Sequence, residues 1–259
     1  MRGISRGKRL VIEQESSKVK AMILAAGLGE RLRPLTDTTP KPLLEVNGKP
    51  LIQHHVEKLA AAGVKDIVIN TSWLAEKIEA FLGDGSRFGV SIKWSREDEP
   101  LETGGGIRRA LPLLGNQPFL VINGDVWTDF PIGSLTNRDW PEDMDAHLVL
   151  VPNPVHHTGG DFSLNSAGRL FYPQEGDETY TFSGISVMHP EIFALYSSAS
   201  EKFAIRDVLV SGIKAGCVSG EICRSTWWDV GTYERLQALN TLLSGREVDT
   251  GKKPRIRIS

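Results

Sequence analysis

The stretch AAGLGERLRPLTDTTPKPLLEV, from Ala25 to Val46, sets Gly27, Gly29, Arg31 and Lys41 directly after the apolar run VKAMILAA. Glycines at the end of a strand leave backbone N–H groups unpaired and let the backbone approach a bound anion closely. Arg31 and Lys41 add charge-assisted donors for more than one phosphate, so the chemistry implied is the handling of a triphosphate. The stretch lacks the G-K-[ST] ending of a Walker loop and the third glycine of a dinucleotide fingerprint, and is therefore neither. A lone G-x-G would read as a surface turn; the long ordered combination of glycine, arginine, proline and lysine argues for anion binding. A second chemical group, Asp125, stands at the carboxyl end of the apolar run PFLVINGDV.

Those groups need a scaffold that brings them together. VKAMILAA, DIVINTS, VSIKWS and PFLVINGDV read as buried strands, while PLIQHHVEKLAAAG, WLAEKIEAFLGDG and GGGIRRALPLL read as helices. The first helix opens at Pro50 and stops at Gly63, and the second carries Leu74, Ile78, Phe81 and Leu82 on one face. This βαβαβ rhythm predicts an α/β fold: a doubly wound, mostly parallel, Rossmann-like sheet in a three-layer α/β/α sandwich. In such sheets ligands sit beyond the strand C-termini near a switch in strand order, so the first loop and Asp125 are expected to meet.

Past Asp139 the rhythm changes. DAHLVLVP, GDFSLNSAGRLFY and YTFSGISVMH read as strands, EIFALYSS and AIRDVLVSGIKAG as helices, VSGEICRSTWWDVGT as one strand ending in Asp229, and YERLQALNTLLSG as a closing helix. The expected organisation is one domain over 19–245, with a nucleotide-binding half over 19–130 and a mixed α+β acceptor half over 131–245. An unfolded leader is expected over 1–18 and a loose tail over 246–259. Folding patterns begin abruptly at Val19, so the leader reads as an extension ahead of a translation start near Val19, or as a disordered arm. No internal repeat is visible, and no hexapeptide array of the kind that builds an appended β-helix.

Composition narrows the function classes. A chain of 259 residues, 40% apolar and 24% charged, can bury a full core, and a net charge of -2 gives no basis for wholesale nucleic-acid or membrane affinity. No apolar run is long enough for a secretory signal or a membrane span. Cys217 and Cys223, placed six apart on one expected strand, cannot bridge, which suits a reducing cytoplasm. The apolar stripe of YERLQALNTLL reads as core packing first and a dimer surface second, leaving monomer or homodimer open.

The run LAAGLGERLRPLTDTTPKPLLEVNGKPLI resembles the signature of the sugar-1-phosphate nucleotidylyltransferases: an apolar strand, G-x-G-x-R-x-x-P-x-T, then P-K and a later proline. The likeness continues through DIVIN, ETGGGI, NGD and WWDVGT, from about Lys20 to Leu243. Within the family, IVINTSWLAEKIEAFLGDGSRFG, EPLETGGGI and INGDVWTD look most like the bacterial N-acetylmuramate-1-phosphate uridylyltransferases of cell-wall recycling. The resemblance implies Mg²⁺-dependent transfer of UMP from UTP to an α-sugar 1-phosphate, with release of pyrophosphate. Gly27, Gly29, Glu30 and Arg31 would then wrap the triphosphate, Lys41 would sit at the reacting phosphates, and Arg31, Lys41 and Asp125 would form the catalytic set. Asp125 and Asp229 match the two family carboxylates that hold the metal, whose hard charge suits carboxylate and phosphate oxygens. Arg33 is expected to play a supporting or surface role.

For the base, the resemblance implies flanking backbone at Ala25 and Ala26, with Glu97, Glu102, Thr103, Gly104 and Asn123 also nucleotide-binding; a carboxylate suits the donor N3–H of uracil. Glu99 reads as solvated. For the sugar it points to Gly160, Asp161, Ser183 and Gly184. The usual E-K-P segment is replaced by FYPQEGDE, so Glu175 stands in for its acid, no lysine follows, and no cation offers itself for a lactyl carboxylate. Asn70 and Trp73 are expected to close over the acceptor, with core packing the equal alternative for Trp73. His156 and His157 point oppositely on an extended chain, lack a third ligand, and read as loop residues. The rival readings are mannose or glucose 1-phosphate with GTP or dTTP, and a catalytically silent subunit that senses nucleotide sugars. Retention of Arg31, Lys41, Asp125 and Asp229 together argues against the silent subunit.

Overall fold

A computed structural model describes residues 19–138 and 140–245; the expected leader and tail lie outside the described residues. The framework is a seven-stranded sheet. Its strands are β1 (Lys20–Leu24), β2 (Asp66–Thr71), β3 (Ser91–Arg96), β4 (Phe119–Asn123), β6 (Ala146–Val151), β7 (Thr181–Met188) and β8 (Val218–Ile222), in spatial order β8-β6-β7-β4-β1-β2-β3. A separate two-stranded ribbon pairs β5 (Val126–Thr128) with β9 (Trp227–Asp229). The main sheet is parallel throughout except for β7, which runs against both β4 and β6. The chain leaves β1 toward β2 on one side and returns through β4 on the other, so the strand order switches at β1.

The β1 pattern shows why both faces are covered. Ala21 and Ile23 pack into one hydrophobic cluster and Met22 into another, the two-residue alternation of a pleated strand. On the first face lie α1 (Leu51–Ala61) and α2 (Ala75–Leu82), which contribute Ile52, Val56, Leu59, Ile78 and Leu82. On the second lie α3 (Glu102–Leu114) and α4 (Ile205–Lys214), with Ile107, Ala110, Leu114, Val208 and Leu209. Fully burying one such aliphatic side chain contributes about 1.5–3 kcal/mol, so these stripes hold the three layers together. A third cluster joins Leu32, Leu44 and Val46 to Leu236 and Leu239 of α5 (Tyr233–Leu243), binding the last helix to the base of the opening loop.

Register carries this framework to the site. Leu24 pairs with Asn70 of β2 on one side and Asn123 of β4 on the other, so two amides flank the point where β1 opens into the glycine loop. Gly124 N–H donates to the Leu24 carbonyl at 2.8 Å and ties NGD to the same point.

Two local expectations change. The stretch VSGEICRSTWWDVGT is two strands, because Cys223 makes the last bond to Leu150 and the chain then crosses to β5, anchored by Thr128 Oγ1 donating to the Thr226 carbonyl at 2.7 Å. Cys217 and Cys223 therefore flank β8, buried and as free thiols. EIFALYSS forms only a 3-10 turn over Pro190–Leu195, capped by His189 Nδ1 accepting from Glu191 N–H at 3.2 Å. The helix expected over GGGIRRALPLL forms and takes in the two residues before it, so α3 begins at Glu102.

Candidate active site

Beyond the carboxyl ends of β1, β2 and β4 lies a cavity of about 540 Å³. Its walls include Ala25, Ala26, Gly27, Gly29, Glu30, Arg31, Lys41, Glu97, Glu102, Thr103, Asn123 and Asp125, so most of the expected nucleotide set converges there. A second cavity of about 340 Å³ shares Arg31, Asn123 and Asp125 with the first and adds Ser183, Asp229, Arg235, His156 and His157. The two cavities adjoin at the wall formed by Arg31, Asn123 and Asp125.

The loop is shaped by contacts that only glycine allows. Gly29 has φ 68, and a Cβ there would stand 2.8 Å from the Thr36 methyl, while Thr36 Oγ1 donates to the Gly29 carbonyl at 2.8 Å. The 3-10 turn Glu30–Leu32 then turns Arg31 outward and buries Leu32. Pro40 leads into a second 3-10 turn, Lys41–Leu43, and Lys41 Nζ donates to Asp125 Oδ2 at 2.7 Å. Burial alone pushes the Asp125 carboxyl up; the Lys41 ammonium, helped by Arg31, outweighs it and holds the group below its ordinary value. Arg33 pairs with Asp37 at the surface, as expected.

Asp229 reaches the site from the opposite side of the ribbon. It pairs with Val126 across β5 and β9, and Val230 N–H donates to the Asp125 carbonyl at 2.8 Å, so the two acids sit on adjoining backbone. Asp229 Oδ2 accepts from Arg235 Nη1 at 2.5 Å and lies 3.4 Å from His156 Nε2. Asp229 Oδ1 is buried and has no hydrogen-bond partner. A buried carboxylate oxygen left unpaired is costly in a native site, and a hard divalent cation is the kind of group that satisfies it. The Asp145, His189 and Glu191 cluster, whose ligand atoms lie within 4.8 Å of one another, stands at the opposite end of the strands, where β6 begins and β7 ends.

Several residues take positions other than those expected. Asn70 does not close over an acceptor: it is buried, accepts from Ala25 N–H at 2.8 Å and donates to Glu97 Oε1 at 2.7 Å. Glu97 Oε2 in turn accepts from Leu101 N–H at 2.8 Å, which ties the loop, β2 and the start of α3 into one chain of bonds. Gly104 does not line the cavity; its N–H goes to the Phe203 carbonyl at 3.0 Å, and a Cβ there would stand 2.6 Å from the Phe203 ring. Thr103 lines the cavity while its Oγ1 accepts from Ile205 N–H at 2.9 Å at the start of α4. Trp73 is 40% exposed and donates to the Thr36 carbonyl at 3.0 Å, bracing the phosphate loop from outside.

On the acceptor side, Ser183 lines the smaller cavity, while Gly160, Asp161, Glu175 and Gly184 do not. Glu175 lies in an exposed turn. Asp161 is structural here: Oδ2 accepts from Phe182 N–H at 2.9 Å and Oδ1 is 3.2 Å from His157 Nε2. Gly184 sits in a β-bulge of β7 with φ 81, and a Cβ would meet the Asn123 side chain at 2.8 Å, so the glycine lets β7 press Asn123 toward the site. His156 and His157 are loop residues, as expected, and both line the smaller cavity. Arg235 went unnoticed in the sequence, although a cation in a helix's first turn opposes the helix dipole and is a legible sign of another purpose.

A glycine loop, two cations and an acid gathered at the switch point of a doubly wound sheet define an α/β enzyme that handles phosphates. The chain belongs to the nucleotidyl transferase family, whose profile matches residues 20–244. It is 50% identical over 228 residues to the N-acetylmuramate alpha-1-phosphate uridylyltransferase of Neisseria meningitidis serogroup B, covering 86% of this chain and 98% of that one. The protein of the same name from Caulobacter vibrioides is 35% identical over 222 residues, 82% of this chain and 91% of that one. Among solved structures, one assigned as a glucose-1-phosphate thymidylyltransferase from Bacillus anthracis superposes with a TM-score of 0.76 at 28% identity, covering 90% of this chain and 98% of that one. Among the described residues no helix is long and apolar enough to cross a membrane.

Proposed function

We propose that this enzyme transfers UMP from UTP to N-acetylmuramic acid α-1-phosphate, giving the UDP-sugar and pyrophosphate. The acceptor phosphate oxygen forms a bond to the α-phosphorus as the bond from that phosphorus to the β-phosphate bridging oxygen breaks. The attacking phosphate is already anionic at neutral pH, so no general base is needed; the site must bring two anions together in line and neutralise the leaving charge. The observation that carries the reading is the wall the two cavities share, Asp125 with Lys41 beside it and Arg31, which borders both.

In this reading the larger cavity takes the nucleotide. Backbone at Ala25 and Ala26 flanks the base, the chain from Gly27 to Arg31 wraps the triphosphate, and Glu97, Glu102, Thr103 and Asn123 complete the wall. Glu97 spends one lone pair of each oxygen on Asn70 and Leu101, and a carboxylate retains further acceptor capacity for uracil N3–H. Lys41 stabilises charge at the reacting phosphates and Arg31 on the departing group. Asp125 and Asp229 are the residues that would hold Mg²⁺, and the orphan Oδ1 of Asp229 supports that fit. Bound there, the ion supplies charge neutralisation on phosphate oxygens. Ser183 faces the acceptor from the β7 bulge, held by Trp227 Nε1 donating to its carbonyl at 2.9 Å.

The test is a pyrophosphate-release assay that crosses the common nucleoside triphosphates with a panel of sugar 1-phosphates. UTP with N-acetylmuramic acid 1-phosphate should give the highest kcat/KM. A result no better than glucose 1-phosphate would remove the specific assignment.

A further inference from the structure

We infer that Arg235 is the group that reads a second anion on the acceptor, the lactyl carboxylate that distinguishes a muramic acid from its parent amino sugar. The inference rests on the uridylyltransferase reading above and adds what selects its acceptor.

Arg235 lines the smaller cavity and not the larger one. Arg31 borders both, and Lys41 borders the nucleotide cavity, so the phosphates of the two substrates already have their cations. On the acceptor wall Arg235 is the remaining permanent positive charge among the described residues.

The guanidinium is held by one corner. Nη1 donates to Asp229 Oδ2 and, at 2.7 Å, to His156 Nε2, which fixes that imidazole as the acceptor. The remaining edge, Nε with Nη2, is a side-on fork of the kind that binds a carboxylate with two parallel hydrogen bonds. Gly231 lets the guanidinium pack against the backbone, since a Cβ there would stand 2.5 Å from Nη2. The side chain is 17% exposed and tethered at both partners, so little rotamer freedom remains to be lost on binding. Asp229 balances the charge while the site is empty, and the planar fork lets Arg235 keep that bond and take a ligand on its other edge.

The test compares two nucleotide sugars that differ only in the lactyl ether, UDP-N-acetylmuramic acid and UDP-N-acetylglucosamine. Affinities are measured by calorimetry in chelator, so that neither turnover nor metal occupancy enters. The wild-type protein should bind the muramic form about 10- to 100-fold more tightly, the range expected for a charge-assisted pair. In Arg235→Gln and Arg235→Met, checked for folding by circular dichroism, that ratio should collapse toward one, and the acceptor KM ratio should follow it. A ratio preserved in a folded variant overturns the inference and leaves the uridylyltransferase reading standing. Equal loss for both ligands with the ratio intact assigns Arg235 to holding Asp229 or the phosphate, and likewise overturns it. The wild-type measurement stands alone should neither variant fold: no preference for the muramic form ends the inference. Absence of binding by either nucleotide sugar, with no pyrophosphate released from UTP, is the separate outcome that removes the reading beneath it.

Discussion

Lys41 Nζ and Asp125 Oδ2 are 2.7 Å apart, with the lysine side chain 12% exposed and the carboxylate at the junction of the two cavities. The pair keeps a carboxylate ionised in a partly desolvated place and holds an ammonium on the wall of the larger cavity. Each partner thus has a structural effect on the other in addition to its proposed chemical role.

Lys41→Gln should lower kcat by about 10²- to 10³-fold, the range for losing one donor to developing charge. Asp125→Asn should abolish turnover and leave the far-ultraviolet circular dichroism unchanged. Full activity in Asp125→Asn would take that residue out of the metal site.

The same pair sets an acid limit. Asp125 is held below its ordinary value, so its contribution is complete above the unfolded carboxyl pKa and is lost as pH falls through the folded one. In Lys41→Gln burial acts without its main opponent, and the Asp125 pKa should rise. Carboxyl titration by NMR should show the midpoint moving upward relative to wild type.

His55 gives the opposite kind of pH dependence. It lies in α1 with Nε2 buried and unpartnered, and burial, followed by nearby Lys58, lowers its pKa to about 4 from 6.5. Between those values the unfolded chain binds a proton that the folded protein refuses, so stability should climb with pH across that window, by at most about 1.4 kcal/mol per unit. His55→Leu should flatten this part of the stability curve, read by urea unfolding at pH 5 and pH 7.

Gly105 tests how the first turns of α3 pack. A Cβ there would lie 2.1 Å from the Glu201 carbonyl oxygen, with no positive φ involved. Gly105→Ala should cost about 1–3 kcal/mol through overpacking, with little change in nucleotide KM. A large KM effect at unchanged stability would instead give Gly105 a part in nucleotide binding.

Asn70→Leu should raise the nucleotide KM about tenfold and destabilise the protein by about 1–3 kcal/mol, because Ala25 N–H and Glu97 Oε1 lose their shared partner. A change in acceptor KM alone would contradict its role as a brace of the phosphate loop.

The strand and helix stripes were legible because burial is written locally. The alternation of Ala21, Met22 and Ile23, and the spacing of Ile52, Val56 and Leu59, state which face turns inward whatever the strand order. The opening loop was legible for the same reason, since Gly27, Gly29, Arg31 and Lys41 lie within one turn-rich segment and their chemistry needs few distant partners. Asn70 was misplaced because an amide at a strand end looks alike whether it meets a ligand or a neighbouring backbone. Glu175 was misplaced because a short hairpin's aim depends on the strands beneath it.

By itself, then, the order of residues determined the layered α/β scaffold, the phosphate loop and the acid that follows β4. Folding alone decided that β7 enters antiparallel and bulges at Gly184 against Asn123, and that Asp229, Arg235 and His156 share one wall. The physical reason is range: periodicity and turn chemistry act over a few residues, whereas Arg235 and His156 are 79 residues apart and meet only where the β5–β9 ribbon crosses the end of the sheet.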